Sequence, residues 1–407
     1  MSESDSRPLR LAIAGMGLRG VSMAGAILRW PVDVEIVGLV DAIGARAKLA
    51  GEYHGLSAPC FDDAGECLDQ TQPDALAVFT PDAYHEAPAV AALQRGVPVF
   101  CEKPLAVTLE ACDRILAAAG QSDALFYMGQ NMRLGPLYHT LHEIVAGEEI
   151  GEPLTLEMNE YYYGGRTYFR RWNRLLAVGG GLWITKSVHD FDMMCWLTGR
   201  EPVSVYAVGG RKVFLPKPGA AARCRDCPLR WECDDYQPMR GLIVGDPTSE
   251  KDVAFWERWA ALGEGAGYLP HDACLYRGDI ETLEFGAAAV QFEGGACATY
   301  TMNCVTTPQH SGRWAMILGS KGAVRTDPLS KTIHVSYRGA KAARTYDVSA
   351  LARGGHGGAD ERIFTSFVRA CGGEETPVAD CADGRRAVRL GLAAQESMER
   401  GQSIRLA

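Results

Sequence analysis

The feature that most constrains this chain is a glycine-rich turn near its start, Gly15-Met16-Gly17-Leu18-Arg19-Gly20. The apolar run from Leu9 to Ala14 predicts a buried strand before the turn, and Val21 to Leu28 has helical spacing after it. In such a unit the first glycine permits a tight turn, the second lets a pyrophosphate approach, and the third lets the helix pack on the strand. The amino end of the helix then faces the phosphates. The turn therefore predicts a dinucleotide-binding α/β unit, with all six turn residues as candidate cofactor contacts.

A carboxylate follows the next strand at the spacing used for ribose binding. The second apolar run, Val34 to Val40, ends at Asp41, about 20 residues past the last glycine. Asp41 would accept hydrogen bonds from ribose hydroxyls and repel a 2′-phosphate, which favours NAD over NADP. Arg46 lies nearby in the sequence, so NADP is disfavoured but not excluded.

A further pair of strands ends in a short polar segment, Glu102-Lys103-Pro104. The apolar runs Ala75 to Phe79 and Val97 to Cys101 predict parallel strands, and Ala87 to Arg95 predicts the helix between them. The polar segment therefore stands at the carboxyl end of a strand, where ligands bind in open parallel sheets. A lysine held there can donate a proton or polarise a substrate hydroxyl. The alternative is a surface lysine at a strand exit.

Length and charge narrow the classes of protein. The 407 residues exceed what one core usually organises, so we expect two domains. The net charge of −9 argues against nucleic acid as the main partner. No apolar run is long enough to cross a bilayer and no signal peptide is visible, so we expect a cytoplasmic protein without membrane contact. The thirteen cysteines then predict reduced thiols or a metal site instead of disulfides.

The sequence pattern changes after a short predicted strand, Leu125 to Gly129. We place the first domain at residues 1–133 and the second at residues 134–407. A helix at Leu137 to Ala146 opens the second domain, a series of strands follows, and two helices end it. Many strands after an α/β half are typical of an α+β domain.

Three motifs together resemble those of the Gfo/Idh/MocA oxidoreductases. They are a T-P-x-x-x-H that starts at Thr80, a C-E-K-P that ends at Pro104, and the G-G-G to H-D-F-D stretch from Gly179 to Asp192. The resemblance is strongest from Leu9 to Arg133. It implies an α/β Rossmann domain plus an α+β domain with a large, mostly antiparallel open sheet. Such proteins commonly use that sheet to form homodimers or homotetramers.

The resemblance also implies a chemistry and a set of site residues. The family usually performs NAD(P)-dependent oxidation or reduction of a sugar or cyclitol hydroxyl. By position, Lys103 matches the family's catalytic lysine and His189 its catalytic histidine, which would take the hydroxyl proton. The matching motifs assign further cofactor contacts to Thr80, Pro81, His85, Glu102, Lys103 and Asn131.

One position departs from the family pattern. Inositol dehydrogenase-like members carry an aspartate four residues before the histidine, and here that residue is Thr185, followed by Lys186. On a helix, Thr185 and His189 would share a face, and Lys186 would lie within reach of His189. Lys186 is therefore a candidate for catalysis or for binding a substrate oxygen. The alternative is an ion pair between Lys186 and Asp190, one turn on.

The segment from Tyr161 to Arg174 interleaves aromatic and arginine side chains. Aromatic rings stack on sugar rings, and arginines bind hydroxyls or carboxylates in a fork, so the segment predicts a loop that binds an acidic or sulfonated sugar. The alternative is a solvated basic face with core aromatics. The candidate substrate contacts are Lys103, Tyr163, Arg166, Arg170, Trp172, Thr185, Lys186, His189 and, in a glycine-rich loop, His356.

A cysteine-rich insertion occupies about residues 211–277. Four cysteines, Cys224, Cys227, Cys233 and Cys274, could form a tetrahedral zinc site that holds an irregular loop together. The alternative is a set of free thiols in a reducing compartment.

Three functions remain open at this point. The first is an NAD-dependent oxidoreductase acting on a hydroxyl of a sugar, sugar derivative or cyclitol. The second is an NAD-dependent glycoside hydrolase that uses transient oxidation and elimination. The third is a non-catalytic NAD-binding protein, which the presence of both Lys103 and His189 disfavours.

Overall fold

The first sheet of the protein is parallel. The computed structural model describes residues 7–237, 249–339, 342–353 and 355–406. The sheet consists of β1 (Leu9–Ala14), β2 (Val34–Val40), β3 (Cys60–Phe61), β4 (Ala75–Val78), β5 (Val99–Glu102) and β6 (Phe126–Gly129). The strands run in the order β3-β2-β1-β4-β5-β6, and all neighbouring pairs are parallel. This is the doubly wound order, so the predicted Rossmann fold is confirmed.

Helices cover both faces of this sheet. The helices of this part are α1 (Leu18–Ile27), α2 (Gly44–His54), α3 (Ala64–Thr71), α4 (Glu86–Leu93) and α5 (Leu109–Gly120). Every residue of β4, β5 and β6 is buried, as expected for parallel strands between two helical layers. Side chains of Asp63 and Thr108 cap the amino ends of α3 and α5.

The second sheet is larger and mostly antiparallel. It consists of β7 (Pro153–Tyr161), β8 (Pro202–Gly210), β9 (Phe285–Phe292), β10 (Cys297–Asn303), β11 (Gly312–Gly319), β12 (Gly322–Asp327), β13 (Thr332–Tyr337), β14 (Arg344–Asp347) and β15 (Ile404–Arg405). The order is β14-β13-β12-β11-β7-β10-β9-β8-β15. Among the described strands of this second sheet, β7 and β10 form the one parallel pair. The predicted open sheet is thus confirmed.

One face of the second sheet packs on helices. The remaining helices are α6 (Pro136–Ala146), α7 (Leu176–Gly179), α8 (Leu182–Thr185), α9 (Val188–Thr198), α10 (Glu250–Gly265), α11 (Ala359–Cys371) and α12 (Cys381–Arg400). Helices α6, α9 and α12 cover the sheet, and alternate strand residues such as Leu156, Tyr300 and Met302 are buried beneath this layer. No helix within the described ranges is long and apolar enough to cross a membrane.

Two helices from the later part of the chain complete the core of the parallel sheet. Phe364 and Phe367 of α11 pack against Phe100 of β5, with ring centroids 5.7 and 5.5 Å from that of Phe100. Phe255 of α10 stacks on Tyr53 of α2 at 4.0 Å. The helix α10 lies inside the cysteine-rich insertion, so the insertion also contacts the Rossmann part of the chain.

Candidate active site

The glycine-rich turn has the geometry of a phosphate cradle. Gly15 has a φ of +96°, and an added Cβ would lie 2.5 Å from the Thr80 nitrogen. A Cβ on Gly20 would lie 1.8 Å from the Gly15 carbonyl oxygen, so a glycine is needed for α1 to start so close to β1. At Gly17 a Cβ would meet no heavy atom of the described chain within 4 Å. The backbone of Gly17 therefore faces open space at the amino end of α1, where a pyrophosphate can bind.

Asp41 is tied to the same turn. Its Oδ2 accepts a hydrogen bond from the Met16 backbone N–H at 2.8 Å, and its Oδ1 accepts one from Ile43 at 2.8 Å. Burial raises the pKa of Asp41, while these two hydrogen bonds act in the opposite direction. Each carboxylate oxygen keeps a lone pair for a ribose hydroxyl.

The side chain of Arg46 packs against α10, the helix of the cysteine-rich insertion. Its guanidinium carbon lies 3.8 Å from the centre of the Trp259 ring, and its Nε donates to the Trp259 carbonyl oxygen at 3.3 Å. The Trp259 indole N–H donates to the Met16 carbonyl oxygen at 2.8 Å. A Cβ on Gly263 would lie 1.8 Å from an Arg46 nitrogen. The helix α10 therefore covers the ribose end of the turn, a contact that the sequence pattern did not indicate.

Asp360, a carboxylate on α11, contacts several of the predicted site residues. Asp360 accepts hydrogen bonds from Arg19 Nη1 and Nη2 at 2.9 and 2.8 Å, and from Asn131 Nδ2 at 2.8 Å. His356 Nδ1 lies 2.7 Å from Asp360 Oδ2. Arg19 Nε donates to Glu102 Oε1 at 2.7 Å. Asp360 was not predicted as a site residue, although its position four residues after His356 is a signal that the sequence contains.

His85 joins the two loops that carry the family motifs. Its Nδ1 lies 2.7 Å from the Pro104 carbonyl oxygen and its Nε2 lies 2.9 Å from that of Thr80. Burial lowers the pKa of His85. The Lys103–Pro104 peptide bond is cis. These contacts give His85 a positioning role, while Pro81 precedes the short turn that follows Thr80.

Lys103 follows β5 at the carboxyl edge of the parallel sheet, and its charge acts on His189 in the first turn of α9, so we treat the two as one candidate pocket. Lys103 Nζ donates to the Thr185 carbonyl oxygen at 2.7 Å. Burial lowers the pKa of Lys103, and Asp82 provides the largest opposing charge. Burial also holds the pKa of His189 well below its usual value, and the positive charge of Lys103 adds to the effect. His189 is therefore a neutral imidazole at pH 7 and can accept a proton.

Lys186 does not pair with Asp190, so that alternative is wrong. Lys186 Nζ lies 3.0 Å from Glu160 Oε1 of β7 and 3.8 Å from the centre of the Tyr162 ring. Asp190 instead accepts a hydrogen bond from Arg313 Nε at 2.6 Å. Burial by itself would lower the pKa of Lys186, but Glu160, Tyr168 and Tyr162 together raise it above its usual value. Lys186 therefore stays charged in the pocket.

The expected helical spacing between Thr185 and His189 is not found. The short helix α8 ends at Thr185, and α9 begins at Val188. The two residues therefore lie on different helices and do not share a helical face. Thr185 still contacts the candidate pocket, because its carbonyl oxygen accepts a hydrogen bond from Lys103.

Two arginines of the aromatic–arginine loop bind the protein itself. Arg170 is buried and donates to the carbonyl oxygens of Ala273 and Asp235. Arg166 donates to the Tyr163 hydroxyl at 3.0 Å and lies 3.4 Å from Asp235 Oδ1. These contacts tie the loop to the insertion and favour structural roles for both arginines over substrate binding. Tyr163 and Trp172 remain partly exposed.

Arg171 is the arginine of this loop that remains available. Its guanidinium has no hydrogen bond or ion pair with any residue that the structure describes. Burial lowers the pKa of Arg171, opposed by Tyr168 and Tyr162. The same two tyrosines flank Lys186. The alternation of arginines in the sequence pointed to the loop but could not single out this one.

The structure gives the predicted zinc site no support. Cys224, Cys227, Cys233 and Cys274 line one small cavity of about 20 Å³. No group of three or more His, Cys, Asp or Glu side chains within the described ranges is placed to hold a metal ion. Burial raises the pKa of Cys274, and the Tyr276 backbone N–H donates to its sulfur at 3.4 Å. Cys224, Cys227 and Cys274 are buried free thiols, and Cys233 is partly exposed.

Polar atoms without partners mark the pocket as a ligand site. Among the described residues, four such buried atoms follow strands of the parallel sheet or begin α9: Thr80 Oγ1, Asp82 Oδ2, Gln130 Oε1 and His189 Nδ1. Buried polar atoms in native proteins nearly always have a hydrogen-bond partner, so bound groups are expected to supply these. Together with the open backbone at Gly17 and the carboxylate of Asp41, they fit a bound NAD and a polar substrate.

Both parts of the chain match one family of oxidoreductases. Residues 9–130 match the family described as "Oxidoreductase family, NAD-binding Rossmann fold", and residues 142–406 match "Oxidoreductase family, C-terminal alpha/beta domain". YteT of Bacillus subtilis (strain 168) is 28% identical over 344 residues, 80% of this chain and 78% of YteT. Inositol 2-dehydrogenase of Ralstonia nicotianae is 29% identical over 205 residues, which span 50% of this chain and 58% of that protein.

Solved structures share the fold over nearly the whole chain. Levoglucosan dehydrogenase in complex with NADH superposes with a TM-score of 0.75 at 16% identity, covering 98% of this chain and 100% of that one. An aldose-aldose oxidoreductase from Caulobacter crescentus gives a TM-score of 0.68 at 18% identity, with coverages of 98% and 100%. The sequence matches to both domains, together with this shared fold, show that the chain belongs to the Gfo/Idh/MocA family of NAD-binding oxidoreductases.

Proposed function

We propose that this protein is an NAD-dependent dehydrogenase that oxidises a hydroxyl of a sugar, a sugar derivative or a cyclitol. The observation that carries the proposal is the meeting of Lys103 and a neutral His189 with an unpartnered nitrogen, at the sheet edge beside the glycine-rich turn. The match to proteins named inositol 2-dehydrogenase supports the substrate class.

The pocket residues divide the work of such a reaction. Bound NAD supplies the hydride acceptor. His189 accepts the hydroxyl proton as the carbon loses hydride, and Lys103, in its charged form, stabilises the oxygen as negative charge develops. Lys186, kept charged by Glu160, and the unpaired Arg171 bind other oxygens of the substrate. An acidic sugar suits two such cations.

A panel of substrates tests this function. Purified protein is incubated with NAD and with free sugars, cyclitols and aryl glycosides, while NADH and released aglycone are followed together. Net NADH from a free sugar or cyclitol is the expected result. Aglycone release without net NADH would instead support the hydrolase alternative, to which the relatives reported above lend no support. Tight NAD binding without turnover on any compound would leave a non-catalytic NAD-binding protein.

We expect NAD to bind at least about tenfold more tightly than NADP, which corresponds to about 1.4 kcal/mol. A 2′-phosphate would approach the Asp41 carboxylate, and Arg46 is held on Trp259 and cannot easily compensate. Calorimetry with both nucleotides measures the ratio, and Asp41→Asn should narrow it. Equal or tighter binding of NADP to the unaltered protein would reverse the assignment.

The open face of the second sheet supports a homo-oligomer, either a dimer or a tetramer. Tyr206 and Val208 of β8 and Leu318 of β11 expose large apolar side chains there. Light scattering coupled to gel filtration gives the subunit number. Val208→Asp should shift it towards the monomer, whereas a wild-type monomer would exclude the proposal.

A further inference from the structure

Asp82 is a buried carboxylate beside the candidate pocket, and no role has been given to it so far. It opens the short turn Asp82–Tyr84, directly after Thr80 and Pro81. The residue is 6% exposed, and its Oδ2 has no hydrogen-bond partner in the part of the chain that the structure describes. A buried carboxylate without a compensating contact is costly, so its presence calls for a charge nearby.

The charge nearby is Lys103. The loops that carry Asp82 and Lys103 are neighbours, because they follow the adjacent strands β4 and β5 and His85 bridges the carbonyl oxygens of Thr80 and Pro104. Lys103 Nζ donates to the carbonyl oxygen of Thr185, and it forms no direct ion pair with Asp82. Asp82 is nevertheless the largest negative charge acting on Lys103. The other carboxylate beside Lys103, that of Glu102, is already bonded to Arg19 and to the Lys103 backbone N–H.

We propose that Asp82 is the carboxylate partner of Lys103 in this chain, and that it replaces the carboxylate absent at Thr185. Asp82 acts as a positioning residue: it keeps Lys103 charged in a desolvated pocket. The inference builds on the proposed function but concerns the charge of Lys103 alone. The replacement is local, because the Thr185 carbonyl oxygen accepts a hydrogen bond from the Lys103 amine.

The pKa shifts agree with this pairing. Burial raises the pKa of Asp82 to about 7, and Lys103 is the largest influence in the opposite direction. Burial lowers the pKa of Lys103, where Asp82 and Glu102 oppose the effect while Lys186 and Arg19 add to it. Removing the charge of Asp82 should therefore let the pKa of Lys103 fall further, so that Lys103 loses its proton at a lower pH.

Competitive labelling measures that titration without any substrate. Trace acetic anhydride is applied to the full-length protein from acidic to alkaline pH, and mass spectrometry follows acetylation of Lys103 and of the exposed Lys48 in the same chain. In Asp82→Asn we expect the titration of Lys103 to move down by about one pKa unit, a tenfold change in its ratio of protonated to deprotonated amine. Lys48 should not move, and the exposed Asp62→Asn is the matched control.

A carboxylate introduced at position 185, where inositol dehydrogenase-like members carry an aspartate, should restore the Lys103 titration. Asp82→Asn/Thr185→Asp should return the Lys103 titration most of the way to the wild-type value, because the new carboxylate lies beside the same amine. Asp82→Ser, which is also neutral but smaller, gives an independent reading should the amide variant fold poorly. An unchanged Lys103 titration in the folded single variants, or no rescue in the double variant, would overturn the inference.

Kinetics separate this inference from the proposed function. With a substrate found in the panel, the alkaline limb of kcat/KM should shift to lower pH in Asp82→Asn and recover in the double variant. A wild-type protein that turns over no sugar would defeat the proposed function, while the labelling still decides the pairing. Normal turnover with an unmoved alkaline limb and an unmoved labelling curve would defeat the pairing alone.

Discussion

Burial acts on Lys103 and His189 in the same direction, with different chemical results. It lowers both pKa values, which makes His189 neutral and competent as a base, whereas Lys103 depends on neighbouring carboxylates to stay charged. His189 can therefore accept a proton, while a charged Lys103 would supply a cation that acts on it. A proton acceptor and a charge that stabilises an oxyanion are the two groups that alcohol oxidation needs.

We expect Lys103→Met and His189→Ala each to lower kcat by a factor of about 100 or more, the scale of a lost acid–base or electrostatic group. NAD affinity should change little, because the glycine-rich turn and Asp41 hold the adenosine half. Steady-state kinetics on the true substrate and calorimetry with NAD check both statements. Near-normal turnover by both variants would remove these residues from the mechanism.

Lys186→Met should mainly raise KM. The substitution removes a cation from the pocket, but Glu160 keeps Arg313, whose Nε lies 2.9 Å from Glu160 Oε2, so the fold should tolerate it. The matched measurement is Arg171→Gln, which removes the unpaired guanidinium of the same pocket. A collapse of kcat in Lys186→Met, with KM unchanged, would instead show that Lys186 takes part in the chemical step.

The acid limb of the pH profile follows from His189. Because its pKa is depressed, the neutral, proton-accepting form persists as the pH falls below the usual histidine value of about 6.5. As the pH is lowered, we therefore expect kcat/KM to stay constant until the pH falls below about 6.5, and only then to decline. Removing the neighbouring positive charge in Lys103→Met should raise the pKa of His189, which NMR titration of the histidine can follow. A histidine that titrates at its ordinary pH in the wild-type protein would contradict this account.

The sequence predicts Lys103 and His189 for one site, because strand ends and motif positions are local features. It could not show that Lys186 pairs with Glu160. That pairing depends on β7 lying between β10 and β11, and such neighbours are separated by long stretches of chain. The assumption of one continuous helix through His189 failed because Lys186 and Ser187 interrupt it.

At the scale of elements, α10 offers a matched pair of glycines near its end. An added Cβ at Gly263 would displace Arg46 from the face of Trp259, whereas at Gly265 it would meet nothing within 4 Å among the described residues. We expect Gly263→Ala to cost about 1–3 kcal/mol of unfolding free energy. Gly265→Ala should be neutral or stabilising by about 0.5 kcal/mol, because alanine favours a helix.

Urea denaturation of both variants gives these free energies directly. Calorimetry with NAD adds a second reading, since Arg46 and Trp259 border the ribose end of the turn. NAD affinity should fall in Gly263→Ala and stay unchanged in Gly265→Ala. Equal stability of the two variants would show that Arg46 can leave Trp259 without cost.

The elements differed in how well the sequence predicted them. Buried parallel strands are continuous apolar runs, and β1 and β2 were predicted with their observed bounds. The helices α2, α3 and α5 were missed, and so was α10. Its buried residues are mainly aromatic, and no local pattern reveals that they pack on α2, about 200 residues earlier in the chain.

At the scale of the molecule, the predicted boundary near residue 133 separates the two sheets but not their cores. The aromatic residues of α10 and α11 complete the core beside β5 and α2. We therefore expect a fragment of residues 1–133 to expose an apolar face, to bind a hydrophobic dye, and to lack a cooperative unfolding transition. The full chain should unfold in one transition that NAD moves to higher temperature. Calorimetry of both proteins checks this, and a sharp transition in the fragment would contradict it.

The insertion helix also limits how freely this protein can be recombined with its relatives. In a chimera that exchanges only residues 9–130 for those of another family member, Phe255 and Trp259 would pack against a surface with different side chains. The coenzyme-binding half and the insertion are therefore packed together as one structural unit. Exchanges of coenzyme preference should transfer α10 together with the glycine-rich turn that it covers.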